Sequence, residues 1–186
     1  MVRPENEKSV LGNREDILNR MGTHVLENGL NTASLRPLAQ AANTSDRILI
    51  YHFGSKDALI SELLQSLAGR MAAQLEIALP AEPSTSLNAC ATEIVALLRS
   101  PAFKPYMDVW LDIVTSATQG SATHRANGGA IVEGFFDWLQ ARLPLGTKDP
   151  ETTARAMLVV IDGTLALDAV GQTDAADRAI AHLFPI

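Results

Sequence analysis

Leu59, Leu63, Leu67, Met71, Leu75 and Leu79 recur at every fourth position. Residues four apart lie on one face of an α-helix. The run therefore asks for one long helix, capped by Ser55 and reaching Leu79, roughly 37 Å long at 1.5 Å per residue. A single apolar stripe of that length needs other elements to bury it. Strand signals are scarce: aromatic residues make up 5% of the chain, and apolar/polar alternation is never sustained. Helical spacing recurs instead, so the expected fold class is all-α, with about nine helices.

The breaks between helices are marked by turn chemistry. The first helix is expected over Asn13 to Asn28, with Ile17, Leu18, Met21 and Val25 on one face and Gly29 as its stop. Ser34 reads as the N-cap of a short helix from Leu35 to Ala42, and Ser45 as the N-cap of another from Asp46 to Phe53. Asn43 lies between them, the residue after Gly best suited to a left-handed turn. Five further helices are expected at about 86–99, 104–119, 122–143, 149–170 and 174–184. Their separators are Pro101 with Pro105, Gly120, Pro144 with Gly146, and Gly171. Three regions follow: a flexible arm over 1–12, a head over 13–58 and a larger body over 59–186.

The chain has 186 residues, 47% apolar and 19% charged, which is too apolar for disorder and long enough to bury a core. No run reaches the 18 or so uninterrupted apolar residues of a membrane span. The start, Met1 to Lys8, lacks the apolar centre of a secretory signal. A cytoplasmic location is expected. One cysteine, Cys90, excludes an internal disulfide framework and a multi-thiolate zinc site. Charge is uneven: residues 1–60 carry seven bases and seven acids, so all of the net −6 lies in 61–186. An acidic chain binds polyanions poorly in general, but a neutral head can meet phosphates through a local patch.

The most informative segment runs from Ser34 to Leu59, SLRPLAQAANTSDRILIYHFGSKDAL. Two short helices joined by a three-residue turn, with small Ala39 at their contact, describe a helix-turn-helix. Leu38, Leu49 and Phe53 would fill the space between the helices. In such a unit the second helix enters the major groove while the first crosses the backbone.

This segment resembles the DNA-binding region of the TetR (tetracycline-repressor-like) family. The matching residues are Ser34, Leu38, Ala39, Ser45, Leu49, Tyr51, His52, Phe53, Ser55, Lys56, Ala58 and Leu59, and Tyr51-His52-Phe53 followed by Gly54-Ser55-Lys56 is the specific part. The detailed match covers about 50 residues. Beyond it only length, helix count and Asp162-Gly163 agree. The chain departs at Asn43 (usually Gly), Thr44 (usually apolar), Arg47 (often small) and Ile50 (often aromatic). The last two stand on the surface expected to face bases, so the operator sequence is not readable by analogy.

Arg36 and Arg47 can each reach a guanine edge with a bidentate fork, and Arg36 matches a base-reading position of the family. Asp46 and Ile50 share the exposed face of Arg47 and can meet cytosine or a thymine methyl. Ser34, Tyr51, His52 and Lys56 are the phosphate candidates. Lys56 opens a helix whose N–H groups also favour an anion. Outside the motif, Arg36 would read as an ordinary solvated residue, and Tyr51 and His52 as rim residues of the core. Arg3 and Lys8 on the arm could reach a minor groove.

A reading head of this size works in pairs, with half-sites about one helical turn, roughly 34–36 Å, or a multiple of that apart. The segment Ala154 to Gly171 is apolar on nearly all sides, so both its faces must be covered. The resemblance implies that the last two helices pair with their copies in a four-helix bundle. The expected dimer residues are Leu158, Leu165, Ala166, Ala169, Ala176, Ala179 and Leu183. It also implies a small-molecule site in the body, where Met71, Met107, Trp110, Val114, Phe135, Leu139, Met157 and Ile161 form the apolar lining. Asp112, Thr115, Asp162 and Thr164 are the polar residues within apolar runs that would orient a ligand. Asp162 either binds a ligand or caps a neighbouring backbone; the two remain open.

No nucleophile elbow, Walker loop or dinucleotide fingerprint is present. Asp108 and Asp112 find no histidine at i±4, and His24, His52, His124 and His182 are scattered, so no metal, cofactor or catalytic residue is expected. The expectation is a non-enzymatic regulator, a homodimeric repressor of a (pseudo)palindromic double-stranded operator. A small hydrophobic effector would release it, with the long fourth helix as the lever. The alternative is a ligand-binding or scaffold protein of the same fold with little sequence-specific DNA binding.

Overall fold

The computed structural model describes residues 14–79 and 81–185. Among the described residues there are nine α-helices, one 3-10 turn and no strand. They are α1 (Arg14–Asn28), the 3-10 turn (Leu30–Thr32), α2 (Leu35–Ala41), α3 (Asp46–Phe53) and α4 (Lys56–Ala78). Then come α5 (Leu87–Leu98), α6 (Lys104–Thr118), α7 (Ala122–Gln140), α8 (Pro150–Ala169) and α9 (Thr173–Leu183). The all-α expectation holds. The arm over 1–12 with Arg3 and Lys8, Asn13, and Pro80 lie outside the described residues.

Side-chain oxygens start several helices. Ser45 Oγ accepts from the Ile48 N–H at 3.4 Å, Ser55 Oγ from Ala58 at 3.1 Å and Ser86 Oγ from Ala89 at 3.1 Å. Each satisfies a donor that has no partner inside its helix. Asp149 does the same for Thr152 at 3.3 Å, with Pro150 following it in the first turn. Helix α7 stops three residues earlier than periodicity suggests. Arg142 N–H bonds back to Leu139 O at 3.0 Å, a tightened turn that ends the helix.

The chain divides into two compact units, Met1–Ala72 with Asp108–Gly129, and Ala73–Met107 with Ala130–Ile186. In the first, Ile17, Met21 and Val25 of α1 are buried, as are Leu38 and Ala39 of α2, Leu49 and Phe53 of α3, and Leu59, Leu63 and Leu67 of α4. Burying each large side chain of this set contributes about 1.5–3 kcal/mol. Arg14 stitches the unit's outer edge: its guanidinium lies 4.8 Å from the Phe53 ring centroid and pairs with Glu62.

In the second unit, α9 packs on α8 and both meet α5. Its polar centre is Arg142, 3% exposed. The Nε and Nη2 groups donate to Leu79 O at 2.9 and 2.7 Å, Nη1 donates to Trp138 O at 2.9 Å, and Nη2 also meets Glu76 Oε2 at 2.9 Å. The guanidinium lies over the Trp138 ring at 4.1 Å. One side chain thus satisfies a carbonyl left open at the end of α4. Cys90 lies close by, its Sγ 3.8 Å from Arg142 O; burial pushes its thiol up, against a weaker opposing hydrogen bond with Ser84.

The expected dimer residues separate into two sets. Leu158, Leu165 and Ala176 are buried within the chain itself, because that face of α8 and α9 fills their own unit. In the single chain these three therefore offer little surface. Ala166, Ala169 and Leu183 are exposed, and Ala179 is half-buried. The outward face of α8 carries Ala156, Val159, Gly163, Ala166 and Val170, all exposed and alternately three and four residues apart.

Arg99 joins α5 to the α8–α9 pair. Its Nε and Nη2 take both oxygens of Asp168 at 2.7 and 2.9 Å, and its Nη1 reaches Asp177 at 2.7 Å. Burial pushes the Asp168 carboxyl up, but hydrogen bonds from Arg99 and Thr173 and the guanidinium charge outweigh it, leaving the carboxyl below its ordinary range. A carboxyl held low when folded stabilises the fold above its unfolded pKa of about 3.9, and that contribution is lost as pH falls through the folded value. Asp168→Asn is expected to cost about 1.5–3 kcal/mol at neutral pH. The deficit against the unchanged chain should shrink on acidification below about pH 4, as measured by urea unfolding across pH.

Candidate nucleic-acid interface

The head is a helix-turn-helix held shut by backbone bonds. Thr44 N–H donates to Ala39 O at 2.8 Å and Asn43 N–H to Gln40 O at 3.0 Å. Asn43 has φ +53°, the left-handed position expected of it. Ala39 is buried at the contact between α2 and α3, where a larger side chain would push the helices apart. Helix α3 ends at Gly54, whose φ of +81° only glycine adopts without strain.

Packing decides which side of α3 is offered outward. Leu49 and Phe53 are buried, while Asp46, Arg47, Ile50 and Tyr51 are exposed, Tyr51 by 73%. At 100° per residue those four span an arc of about 140°. That arc is wide enough to present bases and backbone with different contacts. Arg36 of α2 and its N-cap Ser34 are also exposed. Ser34 Oγ makes no capping bond, so its hydroxyl is left for an outside acceptor. His52 is half-buried, with ring centroids 5.6 Å from Tyr51 and 6.2 Å from Phe53. Lys56 is exposed in the first turn of α4. All eight residues expected to touch DNA thus reach the surface of one compact unit. They combine guanidinium forks, one carboxylate, an aliphatic side chain and hydroxyl, imidazole and ammonium groups.

Two neighbours of this surface could not be anticipated from local pattern. His124, in the first turn of α7, lies beside Asp57 and Lys56. Burial lowers its pKa, Asp57 opposes that and Lys56 adds to it, so the neutral ring is favoured. Ser121 Oγ lies 2.7 Å from its Nδ1. Asn127, buried one turn on, donates to Ser61 Oγ of α4 at 3.0 Å.

The residues expected to line an effector site fall in both units. Met71 and Trp110 are half-buried and Val114 is exposed in the first; Leu139, Met157, Ile161 and Met107 are buried in the second. Phe135 stacks on Trp138 with centroids 5.1 Å apart, and Asp162 is half-buried. Two of the polar residues expected to orient a ligand are otherwise engaged. Thr164 Oγ1 donates to Val160 O at 2.9 Å in its own helix. Asp112 accepts from the Leu30 N–H at 2.9 Å and from Asn31 Nδ2 at 3.0 Å.

Residues 25–63 match the family model of bacterial regulatory proteins, tetR family. No curated protein matches the chain. Among solved structures, a transcriptional regulator from Rhodococcus sp. RHA1 is 24% identical, with 92% of this chain and 97% of that one covered and a TM-score of 0.68. A TetR transcription regulator from Haloarcula marismortui is 16% identical over 90% of this chain and 94% of that one, TM-score 0.68. The multidrug binding protein EbrR, complexed with proflavin, is 21% identical over 91% of this chain and 98% of that one, TM-score 0.67. At these identities the likeness is one of fold.

Asn43→Gly is expected to leave stability unchanged or raise it by up to about 1 kcal/mol, since glycine adopts the left-handed turn freely. Asn43→Val is expected to cost about 1–2 kcal/mol, because a β-branched side chain resists that conformation. Thermal melts of the two variants check the pair, and equal melting temperatures would contradict the turn's role.

Proposed function

We propose, from the match of residues 25–63 to bacterial regulatory proteins of the tetR family, that the chain is a member of that family and a ligand-responsive transcriptional repressor acting as a homodimer. The observation that carries the DNA part is the outward arc of α3, with Arg47, Ile50 and Tyr51 exposed while Leu49 and Phe53 anchor the helix from behind. Arg36, Asp46, Arg47 and Ile50 read base edges. Ser34, Tyr51, His52 and Lys56 set register on the phosphates and supply the salt-dependent share of affinity.

Pairing is supported by the exposed seam of α8, Ala156, Val159, Gly163, Ala166 and Val170, continued by Ala169 and by Ala179 and Leu183 of α9. A three-four spacing of small and apolar residues suits close helix packing. No helix among the described residues is long and apolar enough to cross a membrane, so this seam does not face lipid as a span. The effector is a small hydrophobic or aromatic compound, received by the body through Met71, Met107, Trp110, Val114, Phe135, Leu139, Met157, Ile161 and Asp162. EbrR, of the same fold, is described with proflavin, a flat aromatic cation. The effector acts by binding one spacing of the paired heads better than the other; equal affinity for both would shift nothing.

Anisotropy titrations against duplexes from the chain's own upstream DNA test this reading. Affinity is expected to fall steeply between about 50 and 200 mM salt. Lys56→Ala should weaken all sequences alike and reduce the salt slope by about 1, whereas Arg47→Ala should relax preference at one base pair by about 1–3 kcal/mol. A flat salt dependence would favour a ligand-binding protein without sequence-specific DNA recognition.

A further inference from the structure

We propose that Asp112 of α6 is a positioning residue of the DNA-reading head: its carboxylate grips the turn between α1 and α2 and so fixes the pose in which α2 and α3 meet a duplex. The inference rests on the DNA-binding reading above and adds to it the point at which α6 takes hold of the head.

The turn Leu30–Thr32 needs a partner from outside. The first N–H groups of a short helix have no acceptor within it. Its N-cap is Gly29, which has no side chain to offer one, and whose φ of +83° bars most replacements. Asp112, 82 residues further along the chain, supplies the acceptor: Oδ2 takes the Leu30 N–H at 2.9 Å. Oδ1 takes Asn31 Nδ2 at 3.0 Å. Two bonds to successive residues fix the turn's orientation as well as its place. Leu30 is itself buried beside them.

From that grip to α2 the chain has no slack. Thr32 Oγ1 donates to Gly29 O at 2.8 Å, Ala33 N–H to Leu30 O at 2.8 Å and Ser34 N–H to Thr32 O at 2.7 Å. Ser34 is the N-cap of α2, and Arg36 stands two residues beyond it. Helix α2 packs on both α1 and α3, so the first helix of the motif carries the second with it. Asp112 stands between Trp110 and Val114 on α6, two residues expected to line the effector site.

The test begins by selecting a duplex from a randomised pool with the unchanged full-length chain. Affinity for that duplex, and for copies with one base pair added or removed at its centre, is then measured for Asp112→Ala, Asp112→Asn, Asn31→Ala and the Asp112→Ala/Asn31→Ala double variant. Asp112→Ala is expected to weaken the selected duplex about tenfold and to flatten discrimination between spacings. Asp112→Asn retains one acceptor for Leu30 and should recover part of the loss. The double variant should bind no more weakly than Asp112→Ala, because both act through one contact. Circular dichroism melts accompany every titration. If Asp112→Ala does not fold, Asp112→Asn and Asn31→Ala must still flatten the spacing profile. Binding within twofold of the unchanged chain, or a loss equal for all duplexes that tracks the melting temperature, would overturn the positioning role. Should the unchanged chain enrich no duplex, the regulator reading falls first and this role with it.

Discussion

The burial of Leu38, Leu49, Phe53 and Leu59 in one small core governs what the head can present. A helix of eight residues such as α3 is too short to persist alone in water. It exists because one side of it is removed from solvent, and that same removal turns Arg47, Ile50 and Tyr51 outward. Stability and recognition are therefore opposite faces of one packing event. Arg14, lying over the Phe53 ring and paired with Glu62, closes the edge of that core without entering it.

Around these cores the polar groups act as ties over long stretches of chain. Asp112 holds Leu30 and Asn31, Asn127 holds Ser61, Arg99 holds Asp168 and Asp177, and Arg142 holds Leu79. Several of these satisfy part-buried groups that would be costly to leave unpaired, among them the Leu30 N–H, Asn127, Asp168 and Leu79 O. Each also joins helices whose apolar contacts alone would tolerate sliding. Such contacts are directional, whereas apolar burial by itself is not.

Much of the fold was legible in the sequence because helix starts and stops are local chemistry. Ser45, Ser55 and Asn43 do what their neighbours in the chain require, and the four-residue leucine spacing of α4 needs no tertiary information. What remained hidden was partnership. Periodicity names the face of a helix but not the element across from it, so nothing near Asp112 in the chain points to its two partners, more than 80 residues away. The same limit explains α8. A helix apolar all round has no preferred inner side, and only the packing of α5 and α9 separates Leu158 and Leu165, turned in, from Val159, Ala166 and Val170, turned out. The 3-10 turn was invisible for a related reason: its decisive hydrogen bond comes from α6.

The stacking of Arg142 on Trp138 has an optical consequence. The chain contains two tryptophans, and the indole of Trp138 lies 4.1 Å beneath the guanidinium that also meets Leu79 O just past the end of α4. A cation held that close to an excited ring alters its emission. Fraying of α4 at that end disturbs the Arg142 contacts and with them the colour and intensity of Trp138. With Trp110 replaced by phenylalanine, the protein becomes its own single-tryptophan gauge of whether the end of α4 is intact, with no dye attached.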